Sequence, residues 1–177
     1  MPNYVTDGKI GIDLDTPASA DAYNYKGIPA TMGETCEGNN ASEWIFVRAS
    51  SAVNAGALVG INTANEISAI TSPAVVSVDK RLGFAQTAFQ VSQYGFVATR
   101  GNNILVRVAG NMLGGGGVPV YTTDTAGCLG SASSSASHFQ VFGVYLKSSV
   151  SASGATATAV TAAVSWPMLR KPRAGGG

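Results

Sequence analysis

An all-β fold, a small β-sandwich or β-barrel carrying a long irregular N-terminal arm, is what this sequence predicts. Three observations carry it. Apolar residues recur with period 2 in short runs, as in QYGFVAT and NILVRVA, and alternating side chains on a strand have that period. Gly, Asn, Pro and Asp clusters separate the runs at short intervals. Helical periodicity is almost absent, so helix should occupy under about a tenth of the chain.

The length of 177 residues suits one domain with a core of its own. Residues 1–43 read as an extended arm, 44–168 as the β domain, and 169–177 as a flexible basic tail. Charged residues are only 12% of the chain and glycines number 22, against about a quarter charged in ordinary domains. The net charge of +1 offers no general attraction to nucleic acid. No apolar run approaches the ~20 residues that would span a bilayer, so no membrane partner is expected. The start, MPNYVTDGKIG, lacks the pattern of a secretory signal, and synthesis in the cytoplasm is the expectation. Cys36 and Cys128 stand far apart with no metal-ligand spacing around them, which favours two reduced thiols over a disulfide.

Taken in order, Met1 to Ser42 shows no sustained period and is punctuated by Pro and Gly. Thr16-Pro17 suits the start of one short helical turn. Tyr4, Tyr23 and Tyr25 fall in this arm and are candidate docking residues, on the domain itself or on a neighbouring subunit. Trp44 to Ala49 is the first strong strand, apolar on both faces. Asn54-Ala55-Gly56 turns the chain into a strand at Ala57 to Ile61, and a weaker run follows at Ala74 to Val78. Asp79, Lys80, Arg81 and Gly83 read as a turn before the stretch Phe84 to Val91.

Gln93 to Ala109 reads as the clearest hairpin, with Gly101-Asn102-Asn103 as its loop. Phe96 would face Val108, and Ala98 would face Val106, so that both apolar sets share one buried face. The opposite face, with Val97, Leu105 and Arg107, becomes a candidate contact surface.

GNMLGGGG at 110–117 reads as a surface loop, and Val118 to Thr122 as an extended segment with Pro119 at its start. Asp124 to Ser137 is a second loop. Phe139 to Leu146 is a strand bent or bulged at Gly143, and Ala155 to Trp166 is the last strand, stopped by Pro167.

The residues that could carry chemistry do not assemble into a recognised set. Ser137 and His138, as strand neighbours, point to opposite faces, and no GxSxG elbow accompanies them; His138 reads as a polar loop-end residue. Asp13 and Asp15 lack the further oxygen ligands that calcium needs. Glu34, Glu37 and Glu43 have no spacing that marks a glycosidase pair. The glycine run lacks the Lys-Ser or Lys-Thr of a phosphate loop, and Trp44 and Trp166 read as core rather than as sugar-stacking rings. No catalytic residue, cofactor or metal is expected, and the chain reads as a non-enzyme.

Several motifs together resemble a family. GFAQTAFQ, QYGFVATRG with Tyr94-Gly95-Phe96-Val97, NNILVRVAG, Val120-Tyr121-Thr122-Thr123 running to Gly130, and Gly143-Val144-Tyr145-Leu146 resemble the decoration or cement proteins of tailed-phage capsids, from about Trp44 onward. The resemblance implies a virion structural protein on the capsid surface, made in the host cytoplasm. It would bind the outside of the head, tie major capsid protein subunits together, and associate with itself, a trimer being favoured. An alternative is a head-fibre or tail receptor-binding module that recognises a host glycan, motivated by the Tyr and Trp content and the polar loops. A β-fold hydrolase using His138 or the N-terminal carboxylates is the remaining reading.

Overall fold

The computed structural model describes residues 14–19, 30–71, 81–110, 112–114, 117–131, 138–147, 150–151 and 157–170. Among them there are strands and turns but no helix, and the all-β expectation holds. The strands are β1 (Thr35–Gly38), β2 (Ser42–Ala49), β3 (Leu58–Ile61), β4 (Glu66–Ala69), β5 (Arg81–Ala85) and β6 (Tyr94–Val108). They continue with β7 (Leu113–Gly114), β8 (Val120–Thr122), β9 (Leu129–Gly130), β10 (Gln140–Leu146), β11 (Val150–Ser151) and β12 (Thr158–Arg170).

The predicted hairpin does not form. Tyr94 to Val108 is one continuous strand of 15 residues, and it is the spine of the molecule. Its first half pairs antiparallel with β2, Phe46 opposite Phe96 and Ile45 opposite Val97. Its second half pairs with β12, Val106 opposite Val160 and Ile104 opposite Ala162. Gly-Asn-Asn is therefore an irregularity within a strand, with Gly101 at φ 146° and Asn103 at φ 65°. Residues that tolerate such angles suit a reversal and a bulge equally, and the partners on either side decide which one forms. Gly101 is also needed for close approach, because a Cβ there would stand 2.7 Å from that of Ser42. The side-chain parity survives the irregularity. Phe96, Ala98, Ile104, Val106 and Val108 all enter one core, as the alternation predicts, although they do so along one strand.

Strands β2, β4, β3, β5 and β6 close into a five-stranded barrel, with β2 and β4 parallel and the other neighbours antiparallel. Its interior is filled by Ile45, Val47, Val59, Ile67, Ala85 and Val97 among others. The alternate residues Trp44, Phe46, Phe84 and Phe96 point outward from that barrel into a second core. Strand β2 thus buries both faces, as its sequence indicates. From the far half of β6 the sheet continues through β12, β10, β8 and β9, and it returns to β6 where Leu129 pairs with Val108. Leu129, Val120, Val141, Leu146 and Val164 complete the second core.

Other expectations change as well. Thr35 to Gly38, read as arm, is an edge strand on β2, and Leu14, Ala30 and Cys36 are buried in the second core. No helical turn begins at Thr16-Pro17 among the described residues 14–19; Ala18 instead exchanges backbone hydrogen bonds with Tyr94 at 2.7 and 2.8 Å. Arg81 and Gly83 lie within β5 rather than in a turn, because Val59 and Ile61 supply the ladder opposite them. Strand β4 was not foreseen. Asn54 to Gly56 does turn the chain into β3, with the Ala57 N–H donating to the Asn54 carbonyl at 3.2 Å. Leu113 and Gly114 pair with β11, so part of the presumed glycine loop is a short ribbon. Leu129 and Gly130, read as loop, pair with β8 as β9. The run Ala74 to Val78 lies outside the described residues.

The bulge expected at Gly143 is present, and its partner is the larger half of it. Phe142 pairs with Met168, and Val144 pairs with Val164, so Ser165, Trp166 and Pro167 stand opposite Gly143 alone. Pro167 does not stop β12, which runs on to Arg170. A proline lacks the N–H that a ladder requires, and inside a bulge it need not supply one.

Candidate functional site

The bulge turns an otherwise regular β10–β12 ribbon into an exposed shelf. Gly143 has φ 77°, and a Cβ added to it would come within 2.2 Å of the Ser165 carbonyl oxygen, so the two backbones touch where no side chain intervenes. The extra residues on the β12 side push Trp166 outward. Trp166 takes φ 40°, a left-handed conformation that costs a bulky L-residue about 1–3 kcal/mol. It is 50% exposed, while Met168 on the same strand is 65% exposed and Tyr145 on β10 is 54% exposed. The reading of Trp166 as core is thereby corrected: alternation would have buried it, and the bulge changes the count. Trp44 is core, fully buried, with its indole N–H donating to Ser42 Oγ at 2.8 Å.

Neighbouring side chains hold the Trp166 ring in place. The Arg100 guanidinium carbon sits 4.8 Å from the ring centroid, a cation–π arrangement. The indole Nε1–H points to Glu43 Oε1 at 3.4 Å. That carboxylate also accepts from Thr99 Oγ1 at 2.8 Å and from Arg81 at 3.2 Å. Beyond the bulge, the Arg170 guanidinium lies 5.8 Å from the Phe142 ring. Beside it runs a shallow open groove of about 400 Å³, lined by Asn102, Gly143, Val144, Tyr145, Ala163, Val164 and Ser165. Lys147, directly after β10, donates from Nζ to Asn103 Oδ1 at 2.6 Å, next in sequence to the lining residue Asn102. The lining contains no carboxylate, imidazole or thiol. Such a surface can bind, and none of these lining residues is a base beside Ser165.

The sequence-predicted contact residues do not converge on this shelf. Val97 is fully buried inside the barrel, because β2 and β5 flank it and its face is the barrel interior. Leu105 and Arg107 are half-buried on the outer side of β6. Gln86 clamps the Leu105 backbone, accepting its N–H at 2.8 Å and donating to its carbonyl at 3.1 Å. Arg107 is turned toward Cys128. Tyr4, Tyr23 and Tyr25 lie outside the described residues, as do Asp13 and Ser137.

His138 stands at a loop end, two residues before β10, but it is buried. It is 4% exposed, and its Nε2 is 3.4 Å from Asp124 Oδ1. Glu34 accepts from the Thr31 N–H at 2.9 Å, and Glu37 stands 3.9 Å from Arg100, so the three glutamates are spread over separate contacts. Among the described residues no group of three or more His, Cys, Asp or Glu side chains is placed to hold a metal ion. Cys36 and Cys128 are both buried, and neither is in a disulfide. Burial pushes the Cys128 thiol pKa up, against a smaller lowering by the charge and hydrogen bond of Arg107. On the barrel, Arg48 is ion-paired with Glu66. The hydrogen bond from Arg48, then that from Asn62, then the Arg48 charge hold the Glu66 carboxyl below the usual range.

The signal for the shelf was in the sequence only as fragments: an aromatic before Pro167, Gly143 in mid-strand, and basic residues unbalanced by acids. No family model matches the chain, and no curated protein matches it.

Proposed function

We propose that this chain is a non-enzymatic virion structural protein, a capsid decoration or cement protein. It binds the outer surface of a phage head and stabilises contacts between major capsid protein subunits. The observation that carries this reading is the β10–β12 shelf, where Tyr145, Trp166 and Met168 stand exposed on a rigid sheet. Exposed Trp, Tyr and Met rimmed by Arg is the composition of protein–protein contacts. The motif resemblance points the same way.

A cement protein acts by preferring the assembled shell over free subunits, and binding of that kind stabilises by mass action. Self-association, with a trimer favoured, would multiply weak contacts through high local concentration. The deciding experiment is cryo-electron microscopy of the parent particle together with a shell-rupture assay. Density for the chain over the capsid lattice, and earlier rupture when it is removed, are expected; density confined to the tail tip would refute decoration. The groove beside an exposed indole also suits a sugar ring, which keeps a glycan-binding head-fibre or tail module as the second reading.

A further inference from the structure

We infer that the β10–β12 shelf docks an acidic, partly apolar patch on the outer surface of the shell subunit, with Trp166 as the anchor. This rests on the decoration reading and adds the face used and the partner's chemistry. The ground is charge complementarity. Strands β6, β10 and β12 carry Arg100, Arg107 and Arg170 and no Asp or Glu, and Lys147 follows β10 directly. The acids of the described strands lie elsewhere, Glu37 on β1, Glu43 on β2 and Glu66 on β4.

The carboxylate beside Trp166, Glu43, is ion-paired with Arg81 at 3.2 Å, so its charge is largely compensated before any partner arrives. Arg100 is already shared between an ion pair with Glu37 at 3.9 Å and the Trp166 ring, so it adds little to the free positive charge of the face. Arg170, over the Phe142 ring, and Lys147, bonded to Asn103, therefore supply the positive charge that is unpaired among the described residues, beside the exposed Tyr145, Trp166 and Met168 of the β10–β12 ribbon. An apolar centre with a one-sign rim selects a partner carrying the opposite rim, because like-charged surfaces are disfavoured and unlike ones are steered together. The fixed indole adds to this, since a ring already held by Glu43 and Arg100 loses little freedom when it is covered.

The test uses the full chain and empty shells of the parent phage assembled without it, with binding measured by co-sedimentation from about 50 mM to about 500 mM NaCl. Wild type should bind, and its affinity should fall steeply as salt rises. Trp166→Ala should weaken binding about tenfold or more. The double variant Lys147→Glu with Arg170→Glu should do the same and flatten the salt dependence. Met168→Ala, at the most exposed of the apolar positions, should weaken binding several-fold with its thermal unfolding unchanged, which separates contact from folding. If wild type binds and these variants bind equally well, the shelf is not the contact, while the decoration reading stands. If wild type does not bind shells at all, the decoration reading falls, and this inference with it. Binding to an oligosaccharide array that Trp166→Ala abolishes, with shell binding untouched, would overturn the inference in favour of a sugar site.

Discussion

Replacing Gly143 by alanine tests how the shelf is built. The new Cβ would lie 2.2 Å from the Ser165 carbonyl oxygen and 3.3 Å from that of Trp166, against backbone that cannot swing aside as a side chain would. The residue would also have to hold φ 77°. The left-handed conformation alone costs about 1 kcal/mol for alanine. Relieving the contact means parting β10 from β12 at the bulge, which loosens one or two ladder hydrogen bonds at about 1 kcal/mol each. The expected loss is about 3 kcal/mol. At a urea slope of about 2 kcal/mol per molar, the midpoint should fall by about 1.5 M. Gly117 is the control: its φ is 90°, yet a Cβ there meets nothing within 4 Å, so Gly117→Ala should cost only the conformational part, about 1 kcal/mol. Equal losses in the two variants would refute the close-approach argument, and no loss in either would refute the left-handed geometry as well.

Phe46, fully buried and 4.9 Å from the Phe96 ring, should lose about 3–5 kcal/mol on change to Ala, whereas Val91→Ala at an exposed site should stay within about 0.5 kcal/mol; chemical denaturation compares them. Glu66 is held below its usual pKa, so its contribution is present above the ordinary carboxylate range and is lost as pH falls through its lowered value. The thermal midpoint difference between wild type and Glu66→Gln should therefore be full at about pH 7 and vanish in strong acid; a difference independent of pH would contradict the pairing. Because burial raises the Cys128 thiol, the native chain should react with iodoacetamide far more slowly than the unfolded chain at neutral pH, and equal rates would deny that burial. Removing residues 1–43 would take away Leu14, Ala30, Cys36 and β1. The fragment should unfold at a markedly lower temperature than the full chain, whereas an arm lying outside the core would leave that temperature unchanged.

The sequence by itself determined the all-β class, the two-faced burial of β2, the apolar residues that β6 turns into the second core, and the irregularity at Gly143. Each follows from local alternation or from a glycine interrupting it, and those signals depend only on neighbours along the chain. What the tertiary structure alone decided is pairing. Gly101, Asn102 and Asn103 read as a reversal until β2 and β12 are seen to take the two halves of one strand. Val97 read as surface until the barrel closed over it, and Trp166 read as core until three β12 residues were set against Gly143. A strand's parity is written in its own residues, but the length of its ladder, the strand beside it and the side on which solvent remains belong to partners distant in the chain. For that reason the face that β6 turns into the second core was legible from the sequence, and the barrel interior and the exposed shelf were not.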